Sequence, residues 1–379
     1  MRVLLWGTYD TGKPRTRILR DGMRAAGIDV QEIHADVWRG VEDKSQVTGP
    51  GSRLRLALRW VAAYPRLLWR LARAPKADLL LVGYPGVVDA CLASLMGRLR
   101  GIPVAWDVFI SLYDTLVEDR NMLRPGSLAA RCLRGFERRA LRCVDLAFMD
   151  TAAHARRIES LFGLPAQSCG AVWVGAETAH FGPAGAAPPR AGDAPMQVLF
   201  YGQFIPLHGI PTIVEAARLL RDAPIEWTLI GRGQEAEKIR AMLASAPLPK
   251  LRWVAWVDYA KLRDWIAQAD LCLGIFGASR KAASVIPNKV FQIVAAGRPL
   301  VTRDSPAIRE LLLPAPGCVY LVPDADPGAL ADAVREHFDA GRWRQGVRCH
   351  AATLDAIGPK AVGEQFLQLV RQCLFRDGA

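Results

Sequence analysis

The chain has 379 residues, more than one ordinary hydrophobic core organises and enough for two domains of roughly 180 residues each. Apolar residues make up 51% and charged residues 23%, a balance that supplies ample core and excludes an intrinsically disordered chain. The net charge of +12 calls for an anionic partner, and with no zinc finger or RNP-like strand beside it nucleic acid ranks behind a membrane face or phosphorylated ligands.

In chain order, Val3–Trp6 is a short apolar strand. The start of the chain lacks the long apolar core and small-residue cleavage site of a signal peptide, so a cytoplasmic location is expected. No window reaches about eighteen uninterrupted apolar residues, the length a spanning helix needs. The loop Gly7–Lys13 follows the strand; it departs from the phosphate-binding G-x-x-x-x-G-K-[ST] pattern because Pro14 takes the Ser/Thr position. A helix over Arg15–Ala26 stops at Gly27, and Ile28–Val30 is the next strand. Arg53–Lys76 then holds seven basic residues and no acid, interleaved with leucines, Trp60, Tyr64 and Trp69. Such a stretch suits docking on an anionic membrane face, or alternatively forms a solvated helix packed on a sheet. Residues 1–190 contain 27 basic and 18 acidic residues, so the first half carries +9 of the charge. Strands at Asp78–Val82, Pro103–Trp106 and Leu146–Met149 alternate with helices at Asp89–Leu99 and Leu128–Arg142. Directly after the strand ending at Trp106 come four carboxylates, Asp107, Asp114, Glu118 and Asp119. At a strand's carboxyl end they point to a polar cleft lining, with Asp107 the first catalytic candidate and Asp114 the second.

The Pro/Gly-rich run 182–192 cannot hold regular structure and divides the chain. The expected organisation is a first domain over 1–181, a linker over 182–195, a second domain over 196–356, and a closing segment 357–379 that returns to the first. The second half repeats the strand–helix rhythm: strands at Gln197–Tyr201, Trp227–Ile230, Leu251–Val254 and Leu271–Gly274, and a helix at Pro211–Leu220. Its densest signal is Val285–Val301. An extended segment ends at Pro287, a helix runs from Asn288 to Ala296, Gly297 supplies a left-handed end, and Pro299 blocks continuation. Free backbone N–H groups at that helix start, with Lys289 in the first turn, make a place for a phosphate. Asp324-Ala325-Asp326 is similar to a metal-binding Asp-x-Asp, but Pro327 and the helix that follows explain it better as a helix cap. The eight cysteines form no C-x-x-C pair and no cluster with His, so reduced thiols are expected.

The segment Val285–Val301 resembles the donor-site signature of family-4 retaining glycosyltransferases, an acidic residue and, eight positions on, a Glu followed by Ala-x-Gly-x-Pro-Val. The match is good from Phe291 to Val301, while the two acidic positions hold Ser284 and Gln292. The resemblance implies an α/β fold of two Rossmann-like doubly wound domains facing a cleft (GT-B), and a nucleoside-diphosphate sugar held without a bound metal or other cofactor. It also implies donor-binding roles residue by residue. Gln203 and His208, before Gly209, stand where the family has basic residues on the diphosphate. Gly231-Arg232-Gly233 stands at the family's Gly-x-Gly turn, and Trp256-Val257 at the segment that holds the nucleobase. Ile286, Pro287 and Asn288 lead into the helix that carries Lys289, and Gln292 replaces the Glu on the ribose hydroxyls. In the first domain Gly12 and Lys13 would border the donor phosphates, and a His that many relatives carry near Phe109 is missing.

The function expected from these readings is transfer of a sugar to a glycan or lipid-linked acceptor by a protein that is cytoplasmic or peripheral on the inner membrane face through Arg53–Lys76. Three alternatives stand beside it: a catalytically weak binding or scaffolding subunit, a transferase acting on a soluble small molecule, and a sugar epimerase.

Overall fold

The computed structural model describes residues 1–38, 50–183, 194–346 and 348–375; most of the expected linker lies outside them, as does the Arg53 side chain. The chain forms two compact units, one of residues 1–117, 121–175 and 359–379, the other of 118–120 and 176–358.

The first unit is built from β1 (Arg2–Gly7), α1 (Pro14–Ala25), β2 (Asp29–His34), α2 (Pro50–Arg73), β3 (Leu79–Val82), α3 (Val87–Arg100), β4 (Val104–Asp107), α4 (Leu128–Cys143), β5 (Leu146–Met149), α5 (Ala152–Phe162) and β6 (Cys169–Ala171). The six strands are parallel in the order β2-β1-β3-β4-β5-β6. The runs at β3, β4 and β5 are buried at every residue, which is why they read as apolar blocks without alternation. Leu67 and Leu71 of α2 join α3, α4 and α5 over one face of this sheet.

The second unit continues with α6 (Thr178–Phe181), β7 (Met196–Tyr201), α7 (Ile210–Leu219), β8 (Ile225–Ile230), α8 (Ala236–Ser245), β9 (Leu251–Val254), α9 (Tyr259–Gln268) and β10 (Leu271–Leu273). It is completed by α10 (Arg280–Ser284), α11 (Asn288–Ala295), β11 (Leu300–Arg303), β12 (Val319–Val322), α12 (Pro327–Asp339) and α13 (Ala351–Ile357), before α14 (Pro359–Leu374) rejoins the first unit. The sheet is again all parallel, in the order β12-β11-β10-β7-β8-β9. The two six-stranded parallel sheets bear out the expected fold class of two Rossmann-like α/β domains.

The helix ends follow from local chemistry. Asp326 caps α12 by accepting from Ala329 N at 2.9 Å, with Pro327 in the first turn, so the Asp-x-Asp is a cap. Gly297 takes φ +67° after α11. α14 seats on α1 at a glycine crossing, where a Cβ on Gly363 would lie 2.0 Å from the Gly22 carbonyl oxygen.

Some particulars differ from the sequence reading. The units divide at 175/176, ahead of residue 182, because Ala176 N donates to Ile357 O at 2.8 Å and Phe181 packs against Tyr259. The segment Val285–Pro287 is extended as read, and the short helix α10 ends just before it at Ser284. The expectation of eight thiols is corrected: Cys318 and Cys349 are joined in a disulfide, and Cys91, Cys132, Cys143, Cys169, Cys272 and Cys373 are free. No C-x-x-C spacing announced that bridge, since its partners are 31 residues apart and meet only in the fold. Among the described residues no helix is long and apolar enough to cross a membrane.

Candidate functional site

In the second unit β7 is central, with β8 on one side and β10 on the other, so the strand order reverses between β7 and β10. Ligands of such sheets bind beyond the carboxyl ends of the strands at that reversal. The loops there are Gly202–Gly209 after β7 and the segment after β10 that leads to α10 and α11. Gly209 takes φ +66° and opens α7. Gly231 and Gly233 are required for the fit of two loops: a Cβ on Gly231 would lie 1.9 Å from Gly202 O, and one on Gly233 2.6 Å from Phe204 O. Phe204 N donates to Arg232 O at 2.9 Å, locking the loops together. The glycine turn thus approaches the protein's own backbone, where the sequence suggested approach to a ligand.

Lys289 lies in the first turn of α11 and is only 5% exposed. Its Nζ has no hydrogen-bond partner and sits 3.7 Å from the centroid of the Phe200 ring. A Cβ on Gly202 would come within 2.9 Å of Nζ and 3.1 Å of His208 Cε1, so ammonium and imidazole meet over the one residue without a side chain. Burial pushes the Lys289 ammonium well below its ordinary pKa. Burial also holds His208 well below the usual histidine range, with the Lys289 charge as the next cause. His208 Nδ1 donates to the Gln203 carbonyl, which fixes the ring and leaves Nε2 as its acceptor. Gln203 Oε1 accepts from Arg120 Nη2 at 3.4 Å. Two basic side chains whose pKa values burial lowers, beside the first-turn backbone N–H groups of α11, form a site suited to an anion.

Gln292, one turn further along α11, is buried and held at both ends. Tyr201 OH donates to its Oε1 at 3.1 Å, and its Nε2 donates to Tyr259 OH at 3.3 Å. Tyr259 OH in turn donates to Glu177 Oε2. Ile286 is buried, Pro287 precedes the first helical residue, and Asn288 is half-buried. Trp256 is 58% exposed, so it is not core, and the Arg232 guanidinium lies 4.9 Å from its ring centroid. Val257 is half-buried. The core tryptophan of that segment is Trp253, stacked on Phe204 and donating to Gly231 O at 2.8 Å. Phe200, Glu177 and Tyr259 were not singled out in the sequence. Phe200 could have been found as the residue preceding the loop by two, whereas nothing local marks the other two.

The first unit disposes of its candidates differently. Asp107 is 2% exposed and paired with Arg15, whose Nε and Nη2 each donate to it at 2.9 Å while Nη1 donates to the carbonyls of Val172 and Trp173. Asp114 is fully buried and paired with Arg157. Asp119, in the second unit, accepts from Ser279 Oγ at 3.1 Å, and only Glu118 is exposed. A carboxylate row read as cleft lining is therefore mostly internal pairing, because a buried charge is retained only with a partner. Gly12 N donates to Asp10 Oδ1 at 2.9 Å in the loop after β1. Phe109, beside the position of the missing His, takes φ +52° and packs on Tyr84. Among the described residues no three His, Cys, Asp or Glu side chains group as a metal site.

Residues 195–339 match the family model of glycosyl transferases group 1. The matched stretch lies within the second unit. The fold of the whole chain is similar to sucrose-phosphate synthase from Thermosynechococcus elongatus (TM-score 0.71, 17% identity, 100% of each chain). It is also similar to the catalytic domain of starch synthase IV from Arabidopsis thaliana bound to ADP and acarbose (0.72, 11%, 99% of each chain) and to Anabaena HepE in complex with UDP-glucose (0.64, 10%, 98% of this chain and 100% of that one). Comparison with curated proteins gives no sequence match. The likeness to these structures shows the GT-B fold.

Proposed function

We propose that this protein is a glycosyltransferase that binds a nucleoside-diphosphate sugar on its second unit and transfers the sugar with retention of configuration, as the resemblance of Val285–Val301 to the family-4 signature implies. The observation that carries the reading is the buried, partnerless ammonium of Lys289 beside Gly202 and His208, at the strand-order reversal. When the bond between the sugar and the diphosphate breaks, the leaving oxygen gains negative charge. Lys289, His208 and the N–H groups opening α11 are the donors placed to take it up, and no resident metal is part of the scheme. Trp256, exposed beside Arg232, offers a face for a base. The structures similar in fold contain UDP-glucose in one protein and ADP in another, which supports a nucleotide donor without choosing its base. Calorimetry with UDP, GDP, ADP and dTDP tests the reading: one of them should bind, and no binding at millimolar concentration overturns it.

The acceptor side of the proposal is a lipid-linked or membrane-proximal glycan. Supporting it, α2 carries Leu58, Val61 and Trp69 exposed by 60%, 69% and 55%, next to exposed Arg55, Arg66 and Arg73. Its other side, through Leu67 and Leu71, is packed into the core. Apolar side chains left in water among arginines suit the interface of an anionic bilayer, where each well-placed basic residue contributes about 1 kcal/mol. Changing Arg59, Arg66, Arg70 and Arg73 to Gln should release the protein from anionic vesicles, as should high salt. If the unchanged protein ignores such vesicles at low salt, a soluble acceptor becomes the better reading.

A further inference from the structure

We infer that the Cys318–Cys349 disulfide is a redox clasp on α11: a dithiol reductant opens it, loosens the connection from α11 to β11, and weakens the anion site at the other end of that helix. The inference adds regulation to the nucleotide-sugar reading, on which its binding measurement rests. The bridge joins the loop ahead of β12 to the loop ahead of α13. Both of its cysteines hydrogen-bond through their backbone to the residues that link α11 to β11. Cys349 N donates to Gly297 O at 3.0 Å, and Leu300 N donates to Cys318 O at 2.9 Å. His350 adds a side-chain bond, with Nε2 donating to Arg298 O at 2.8 Å. One covalent link therefore grips the connection from both flanks. Gly297 lets the Cys349 flank come close: it takes φ +67°, and a Cβ there would touch Cys349 O at 3.4 Å. His350 also takes φ +67°, a conformation that residues with a side chain adopt rarely and keep only where their surroundings hold it. The bridge is its neighbour in the chain, so the flank is held against its own backbone preference.

The bridge can be reached from one side. Cys349 is 4% exposed, but Cys318 is half-buried and follows the exposed residues Leu313, Pro314 and Pro316. A thiolate of the reductant attacks Cys318 Sγ, the S–S bond breaks, and the sulfur of Cys349 leaves as a thiolate that takes up a proton. The reductant's second thiolate then attacks its own sulfur in the mixed disulfide and expels the Cys318 thiolate, which is protonated in turn. The protein ends with two thiols and the reductant with a disulfide. Gly317 O lies 3.8 Å from Cys349 Sγ and accepts from the new thiol. The other six cysteines are already free, so reduction changes this bond alone. Cys349 is 31 residues from Cys318, across β12 and α12, and with the link open its flank gains the freedom that the loop closure removes. α11 carries the effect to the site. Every residue from Lys289 to Ala295 is buried, so the helix is packed along its length and moves as one piece. Lys289 lies eight positions before Gly297, about 12 Å along the helix axis. Loosening at Gly297 therefore reaches the first turn, where Lys289 and His208 meet over Gly202.

The test follows the full chain with and without dithiothreitol. Alkylation of the denatured chain should modify six cysteines before reduction and eight after it; eight from the start overturns the inference. In the folded protein, reduction should speed hydrogen exchange at the Cys349 and Leu300 amides about tenfold, while the amides of β7 and β8 keep their rates. It should also weaken the binding of pyrophosphate, and of UDP or ADP, about five- to tenfold by calorimetry. A variant with Cys318→Ala and Cys349→Ala should bind like the reduced protein and ignore dithiothreitol. If that variant does not fold, the reduced and oxidised forms of the unchanged protein carry the comparison. Equal exchange and equal affinity in the two forms overturn the inference and leave the transferase reading standing, because the bridge is then only a staple. Reduction that unfolds the whole second unit overturns it as well. If neither pyrophosphate nor any nucleotide binds in either form, the transferase reading falls, and this inference with it.

Discussion

Both units place buried ionisable groups at the carboxyl ends of their sheets, and Lys289 of the second is treated unlike those of the first. In the first, each such charge has its answer inside the protein. Asp107 has Arg15, Asp114 has Arg157, and Asp150 has His154 Nδ1 at 2.6 Å. Asp89 receives Thr8 N at 2.7 Å, Thr8 Oγ1 at 2.9 Å and Tyr64 OH at 2.8 Å. In the second unit Lys289 is as deeply buried and has no polar partner at all. Stranding a charge in a low-dielectric interior is expensive, so a protein keeps one only where a partner from elsewhere completes it. A buried charge that is paired belongs to the frame, and one that is not belongs to a site.

Breaking a frame pair should be the costliest change. Asp107→Ala leaves the Arg15 guanidinium buried and uncompensated and should lower unfolding stability by about 3–5 kcal/mol in a urea titration. If Asp107→Ala instead leaves the urea midpoint in place and abolishes transfer, Asp107 is a site residue and the contrast between the units fails. Lys289→Met is the reciprocal change. It should fold as well as the parent, because it removes a stranded charge and keeps the stem against Phe200. Turnover, however, should drop roughly 10²–10³-fold, the scale of losing one preorganised donor. Unaltered turnover would put Lys289 in the frame after all.

The loop after β4 sharpens the contrast by a pH profile. Glu137 accepts from Leu112 N and Tyr113 N at 2.9 Å and from Ser111 Oγ at 3.1 Å, holding that loop against α4. Burial pushes its carboxyl up to about 7, against 4.5 in an unfolded chain. The unfolded chain therefore releases this proton first. The contribution to stability is fully present below pH 4.5 and is lost as pH rises through 7, about 3 kcal/mol in all. Glu137→Gln should flatten that fall. An equally steep fall in the Gln protein would assign it to another group.

What the sequence disclosed follows the same division. The strands and helices were legible because parallel strands buried on both faces are unbroken apolar runs, and because Gly297, Pro327 and Asp326 mark helix ends by local chemistry. Lys289 was legible for the same reason, as a cation in a helix's first turn. Asp107 and Asp114 were misjudged as cleft lining because their partners are far along the chain: Arg15 is 92 residues from Asp107 and Arg157 is 43 from Asp114. Sequence spacing shows that a carboxylate is present, and only the fold shows whether it is already answered. The Cys318–Cys349 bridge and the Gln292–Tyr259–Glu177 chain were hidden likewise, since each joins residues on separate elements.

The smallest expected effect is a proton taken up on binding, and it reads the second unit's stranded charge most directly. In the protein alone burial holds Lys289 and His208 below their ordinary pKa values, and the Lys289 charge lowers His208 further, with Arg120 adding to it. A diphosphate brings negative charge to both groups and raises both values. At pH values between the free and bound pKa values, the complex therefore holds more protons than the free protein. Affinity should rise as pH falls through that window, by at most tenfold (about 1.4 kcal/mol) per pH unit for each proton taken up. Calorimetry of diphosphate binding in two buffers of different ionisation enthalpy measures the uptake. Lys289→Met should reduce it, because the variant removes one of the two titrating groups and also the charge that depresses His208. Binding without proton uptake in the unchanged protein would mean that Lys289 is already fully charged in the protein alone. Diphosphate binding would then not be linked to the titration of Lys289.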